Sequence, residues 1–207
     1  MYTVTDKKLC EVSPGFSENK EKYKKRIEAV KDGYKKVFGN EETRIFTAPG
    51  RTEIGGNHTD HQHGCVLAAA VDLDILAAVA ENGTNKIRVL SDGYDMLEID
   101  LSDLKPMEEE KNTSAALIRG IAAKLAEMGY KIKGFNAYMI SNVLKGSGLS
   151  SSAAFEVIIG TVMNGLFCDK ELSAVKIAQI GQYAENVYFG KPSGLMDQTA
   201  SSVGGVV

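Results

Sequence analysis

The hydrophobic pattern changes period along the chain, and each change marks an element. From about Phe16 to Phe38, Tyr23, Ile27, Val30, Tyr34 and Val37 recur at spacings of four and three, with lysines and glutamates between them. That is the spacing of an amphipathic helix. Ser17 can cap its start and Gly39-Asn40 its end. The interleaved glutamates make its lysine face a solvated surface rather than a basic patch. Arg44-Ile45-Phe46-Thr47-Ala48 follows as a strand, broken by Pro49-Gly50. Beyond a polar loop from Arg51 to His63, the apolar tract Cys65 to Ala80 is interrupted by Asp72 and Asp74. It predicts one or two strands with a turn.

Strands are further predicted over Lys86-Ile87-Arg88-Val89-Leu90 and Leu97-Glu98-Ile99-Asp100-Leu101, the latter alternating apolar and acidic. Pro106 and Glu108-Glu109-Glu110 mark an exposed connection. A second helix is predicted from about Thr113 to Met128, with Gly129 as its stop, and a strand through Phe135, Ala137 and Met139. A third helix, Ala153 to Phe167, is apolar nearly all round and is expected to be buried. A fourth spans about Ser173 to Tyr188 and stops at Gly190, ahead of Pro192. Strands dominate the first half and helices the second, so the expected fold class is α+β. After Gly204-Gly205 a further strand is expected to begin.

Composition narrows this picture without naming a function. At 207 residues and 43% hydrophobic the chain can bury a proper core. A net charge of −3 gives no global electrostatic case for nucleic acid. Cys10, Cys65 and Cys168 are scattered and form no Cys-x-x-Cys pattern, so they are expected to be free thiols. No apolar run is long enough to span a bilayer and the N-terminus lacks an apolar signal core, which places the chain in the cytoplasm as an expectation.

Three stretches carry candidate chemistry. Leu144-Lys145-Gly146-Ser147-Gly148-Leu149-Ser150-Ser151-Ser152-Ala153-Ala154 joins a predicted strand to a predicted helix. Its glycines let a ligand lie against the backbone, and its serines set N–H groups and hydroxyls at a helix N-terminus, which suits a phosphate. It is not the usual P-loop, because Gly-x-x-x-x-Gly-Lys-Ser/Thr does not occur. A flexible Gly/Ser connector is the plain alternative. The second stretch, Ala48 to Gly64, holds all three histidines, His58, His61 and His63, beside Glu53 and Asp60. Their spacing fits neither a helical pair nor a usual zinc frame. Asn, His and Asp on a glycine-bearing loop better suit hydrogen bonding to a polyhydroxylated ligand, against the plain reading of a solvated loop. The third pairs Glu185, near the end of the fourth helix, with Asp197 in the following loop. Two carboxylates beside a nucleotide loop suggest one magnesium ligand and one base or orienting group. Singly, each would be an ordinary surface acid.

Together these segments resemble the galactokinase branch of the GHMP kinases. Pro49-Gly50-Arg51 through His58-Thr59-Asp60 is similar to that family's opening motif, Pro-Gly-Arg-Val-Asn-Leu-Ile-Gly-Glu-His-Thr-Asp-Tyr. Gly146 to Ala153 is similar to its ATP loop, and Ala184-Glu185-Asn186 through Gly194-Leu195-Met196-Asp197-Gln198 to the segment bearing its magnesium ligand and catalytic acid. Val37-Phe38-Gly39 and Arg88-Val89-Leu90-Ser91 also fall where the family has similar residues. The resemblance implies a GHMP-kinase N-terminal domain over 1–207, of the ribosomal protein S5 domain 2-like kind, with a mixed sheet packed against helices. It implies transfer of the ATP γ-phosphoryl group to a sugar C1 hydroxyl.

By the same resemblance Asp197 would take or orient the hydroxyl proton, and Arg51 would hold Asp197 ionised and stabilise the transferring group. Gly146, Ser147, Gly148, Leu149, Ser150, Ser151 and Ser152 would cradle ATP, with Ser91 a weaker contact. Ser152 and Glu185 would hold Mg2+. Asn57, His58, Thr59, Asp60 and Gly194 would bind the sugar. The implied partners are ATP and a small sugar, with no nucleic acid and no membrane, in a monomer.

The chain departs from the family pattern on the sugar side. Asn57 replaces a glutamate, Thr52-Glu53-Ile54-Gly55 replaces Val-Asn-Leu-Ile, and His61 replaces a tyrosine; Leu144-Lys145 stands where a proline often opens the ATP loop. Galactose is the expected substrate. A uronic acid, pentose or N-acetylhexosamine is the alternative that Asn57 raises, and a non-catalytic sugar sensor is a third. The family's C-terminal half is absent from these residues, so a chain ending at Val207 is expected not to turn over at a useful rate, its site lying open to water.

Overall fold

The computed structural model describes residues 20–207. Helix α1 (Lys20–Phe38) and strands β1 (Arg44–Gly55), β2 (Leu67–Glu81), β3 (Lys86–Ser91) and β4 (Leu97–Asp100) come first. Helix α2 (Ser114–Glu127), strand β5 (Phe135–Ser141) and helices α3 (Ser151–Phe167), α4 (Ala174–Tyr183) and α5 (Met196–Val203) follow. The expected Ser17 cap and the stretch from Phe16 to Asn19 lie outside the described residues, as does Cys10. Cys65 is exposed and Cys168 buried, both as free thiols.

The strands form one mixed sheet in the order β1-β2-β5-β3-β4, with β3 and β5 parallel and the other neighbours antiparallel. The near-continuous apolar run of β2 is explained by burial on both faces. Leu76, Ala78 and Ala80 pack with Val30 and Tyr34 of α1, while Ile75, Ala77 and Val79 face the larger core built with α2, α3 and α4. The α+β architecture expected from the sequence is the observed one.

Three expectations about strands need correction. Pro49-Gly50 does not end β1; the strand runs on to Gly55. β1 lies at the sheet edge, where a missing N–H breaks no ladder bond, and the register shifts between Pro49 and Arg51. The tract from Cys65 is neither two strands nor a strand with a turn. It is one strand bulged where pairing jumps from Pro49 opposite Asp74 to Arg51 opposite Ala70. The two aspartates that interrupt it tie α1 to the sheet: Tyr23 Oη donates to Asp72 at 2.5 Å, and Arg26 pairs with Asp74 at 2.5 Å. After Gly204-Gly205 there is an isolated bridge, Ala69 to Val206, rather than a strand.

The fourth predicted helix also ends differently. The α-helix stops at Tyr183 and widens into a π-helical turn, Ala184–Phe189, before Gly190 turns the chain with φ 86°. Such turns concentrate at functional sites, because the wider loop re-aims side chains. Here it carries Glu185.

Candidate functional site

The site is built where β1, opposite the bulge of β2, meets the glycine-serine loop. A Cβ on Gly50 would stand 2.9 Å from the Leu149 carbonyl oxygen. Glycine there lets the loop lie directly on the strand, and the Arg51 N–H donates to that same oxygen at 3.1 Å. The loop takes left-handed φ values at alternate residues, Gly146 (79°), Gly148 (77°) and Ser150 (54°). Alternation of this kind makes a concave turn of backbone N–H groups suited to anions.

Arg51 is 7% exposed and all three guanidinium nitrogens are engaged. Nε and NH2 donate to the two Asp197 oxygens at 2.7 and 2.8 Å, NH1 donates to the Gly148 carbonyl at 2.6 Å, and NH2 lies 3.1 Å from His58 Nε2. A guanidinium can only donate, so Nε2 of His58 accepts and the imidazole proton sits on Nδ1. Asp197 also accepts from the Ser150 hydroxyl. Burial alone would raise the Asp197 carboxyl, but the hydrogen bonds from Arg51 and Ser150 and the Arg51 charge outweigh it and hold the group below its ordinary value. The carboxylate is therefore ionised at neutral pH.

Asp197, expected in a loop, stands instead in the first turn of α5, a short helix whose apolar residues are too few to announce it. The preceding turn is fixed by Asp60, whose Oδ2 accepts the Met196 N–H at 2.9 Å. Gly194 is pressed against that carboxylate, so any Cβ there would collide with it. The Asp60 side chain thus joins the histidine loop to the start of α5.

Two cavities flank Asp197. One of about 310 Å3 is lined by Arg51, Gly146, Gly148, Ser150, Ser151 and Ser152, among others. The second, of about 190 Å3, is lined by His58, Asp60, His61, Glu185, Gly194 and Gln198, among others. His58, Lys191 and Asp197 border both. Asp60 Oδ1 is buried without a hydrogen-bond partner among the described residues. Leaving that acceptor unpaired has a cost that a ligand hydroxyl would remove.

Not every residue read from the sequence joins this group. Asn57 is exposed, has a left-handed φ of 53° and lines neither cavity. Thr59 caps its own turn, donating to the Gly56 carbonyl at 2.7 Å. Ser147 donates to the Leu144 carbonyl at 2.7 Å, and Ser91 ends β3; neither borders a cavity, nor does Leu149. Glu53 instead positions the site, accepting the His58 N–H at 2.9 Å. Among the described residues no group of three or more His, Cys, Asp and Glu side chains is assembled to hold a metal ion.

Glu185 is 4% exposed; its Oε2 accepts from Gln198 Nε2 at 2.8 Å, and its Oε1 faces the Lys191 ammonium at 3.4 Å. Sequence reasoning misses Gln198, Glu156 and Lys191. A signal exists for Glu156, as it is the one charged residue in α3. Burial, then the neighbouring Glu185 charge, push its carboxyl well above the ordinary range.

Residues 32–81 match the galactokinase galactose-binding signature, and residues 116–205 match the GHMP kinases N terminal domain. The galactokinase of Streptomyces coelicolor is 36% identical over 175 residues, covering 84% of this chain and 44% of that protein. The galactokinase of Clostridium tetani is 32% identical, covering 86% of this chain and 45% of its own length. The crystal structure of Lactococcus lactis galactokinase complexed with galactose superposes with a TM-score of 0.77 at 29% identity, over 84% of this chain and 45% of that one. Methanococcus jannaschii mevalonate kinase shares the fold, with a TM-score of 0.65 at 21% identity. The chain spans less than half the length of these galactokinases. The chain thus matches the GHMP kinases N terminal domain over residues 116–205 and is similar to the N-terminal portion of a galactokinase.

Proposed function

We propose that this chain is the nucleotide- and sugar-binding portion of a kinase that transfers the ATP γ-phosphoryl group to the C1 hydroxyl of galactose. The observation that carries the reading is the bidentate Arg51–Asp197 pair, standing where a phosphate-suited cavity meets one lined by His58 and Asp60. The galactokinase relatives and the galactose complex of the Lactococcus lactis enzyme support galactose as the substrate.

In this reading the serine loop holds the ATP phosphates, and Asp60 and His58 orient the sugar. Asp197, ionised by Arg51, accepts the C1 hydroxyl proton as the sugar oxygen bonds to the γ-phosphorus. The bond from that phosphorus to the β–γ bridging oxygen breaks, and ADP leaves. Arg51 lies close enough to spread charge from the transferring group. Little covalent chemistry falls to the protein, so placement and electrostatics supply the acceleration.

The donor set fits Mg2+. Glu185 Oε1 already faces a cation, the Lys191 ammonium, and the Ser152 hydroxyl borders the phosphate cavity. One carboxylate and one hydroxyl suit an ion that keeps its waters and takes its remaining ligands from phosphates. Bound there, Mg2+ would neutralise charge on the phosphate oxygens.

Asn57 lies outside both cavities, which favours galactose over the charged or substituted sugars that its loss of a carboxylate raises. An ADP-release assay with the full-length protein over galactose, galacturonate, arabinose and N-acetylgalactosamine tests this. Turnover of galactose is expected. Turnover of another sugar without galactose overturns the substrate, and sugar binding without ADP release from any overturns the kinase. Asp197→Asn is expected to lower kcat about 10²–10⁴-fold with galactose binding retained; unchanged turnover removes Asp197 from the mechanism.

A further inference from the structure

Beneath the site lie two buried polar side chains, Glu156 and Gln198, that the phosphoryl-transfer scheme does not use. Ser152 and Glu156 are one turn apart on α3 and share a face. Ser152 borders the phosphate cavity, whereas Glu156 is 0% exposed and lines neither cavity. Its Oε2 accepts from Gln198 Nε2 at 2.9 Å, and the same nitrogen donates to Glu185 Oε2 at 2.8 Å. Gln198 is 1% exposed. One amide nitrogen therefore spends both hydrogens on two carboxylates, one from α3 and one from the π turn.

The cluster is costly. Glu156 Oε1 and Gln198 Oε1 have no hydrogen-bond partner among the described residues. Apolar side chains of the same volume would fill the space at lower cost. Gly181 leaves the room: a Cβ there would stand 3.2 Å from Glu156 Oε2 and 3.4 Å from Gln198 Cγ.

What the arrangement achieves is a fixed orientation for Glu185. With Oε2 held by Gln198, the carboxylate keeps Oε1 toward Lys191, on the cavity side. Glu156 fixes Gln198 in turn. Were the amide reversed, its oxygen would face two carboxylate oxygens. We propose that Gln198 and Glu156 are positioning residues that act through Glu185, presenting one carboxylate oxygen to the divalent cation of the nucleotide complex. This rests on Glu185 being a ligand of that cation.

The test measures Mn2+ affinity by electron paramagnetic resonance in the presence of a non-hydrolysable ATP analogue, with Mn2+ standing in for Mg2+. Gln198→Met, close to isosteric, and Glu156→Leu are expected to weaken Mn2+ binding about 10–100-fold, the usual effect of removing a partner behind a metal ligand. The Mg2+ concentration for half-maximal turnover should rise in parallel, and for Glu156→Leu, at a residue that lines neither cavity, the galactose KM should stay within about twofold. Glu156→Gln keeps an oxygen for Gln198 to donate to and should restore binding. Unchanged Mn2+ affinity in Gln198→Met overturns the inference whether or not Glu156→Leu folds. Glu185→Gln separates the two readings: if it leaves Mn2+ affinity unchanged, Glu185 is not a ligand and both fall. If it weakens binding while Gln198→Met does not, the positioning role alone falls.

Discussion

Arg51 is the residue on which the site's electrostatics turn. Its fork holds Asp197 ionised and also clamps the serine loop through Gly148. A lysine keeps the charge but has no planar fork. Arg51→Lys is expected to lower kcat/KM about 10²-fold, of the order of losing one charge-stabilising donor. Because the Arg51 hydrogen bonds depress the Asp197 pKa, removing them should move the acid limb of the pH–rate profile to higher pH. A profile that falls in height without moving would separate Arg51 from the ionisation of Asp197. At this scale the sequence is informative where a residue type is demanded by chemistry, as at Arg51, Asp60 and Asp197. It is silent on Gln198 and Lys191, whose importance comes from which carboxylate they reach in space.

The elements are legible to the extent that burial is periodic. α2 and α3 have broad apolar faces and appear close to their expected limits, and α1 ends at Phe38 as expected. α5 has Met196 and Ala200 as its buried apolar residues, too few to mark a period, so its first turn reads as loop. Pro49 reads as a breaker in any strand except one at a sheet edge, and strand order is a tertiary fact. The start of α4, in contrast, follows local chemistry. The Ser173 hydroxyl accepts the Lys176 N–H at 3.2 Å and caps α4, the helix that leads into the π turn. Ser173→Ala should cost about 1 kcal/mol of unfolding free energy. Chemical denaturation would measure it, and a loss near zero would show that the cap adds nothing here.

For the whole molecule, the buried acids give stability two opposed dependences on pH. Asp197, with its folded pKa depressed, contributes stability that is present above its unfolded value and lost as pH falls through the folded one. Glu156 does the reverse. Its folded pKa is raised, so between about 4.3, the usual unfolded value, and the folded value the native state binds more protons than the unfolded chain, and stability falls as pH rises. Glu156→Gln removes that penalty. Its Tm relative to the parent should therefore climb between pH 4 and pH 8, followed by calorimetry. A constant difference across that range would mean that Glu156 ionises as freely in the folded protein as in the unfolded chain.

Distance along the chain is the last property of the Arg51–Asp197 pair that matters. Its members are 146 residues apart, and the Ser201 hydroxyl reaches the Pro49 carbonyl across 152. Contacts closing loops of that length are slow to form. On a ribosome, β1 emerges with half of the site and waits for α5 to supply the other half. During that interval the Arg51 guanidinium has no Asp197 carboxylate to pair with. Refolding followed by a fluorescent nucleotide should accordingly recover binding with the slowest phase of folding, after the sheet has regained its circular dichroism. Recovery of both together would place the docking of α5 in the first collapse.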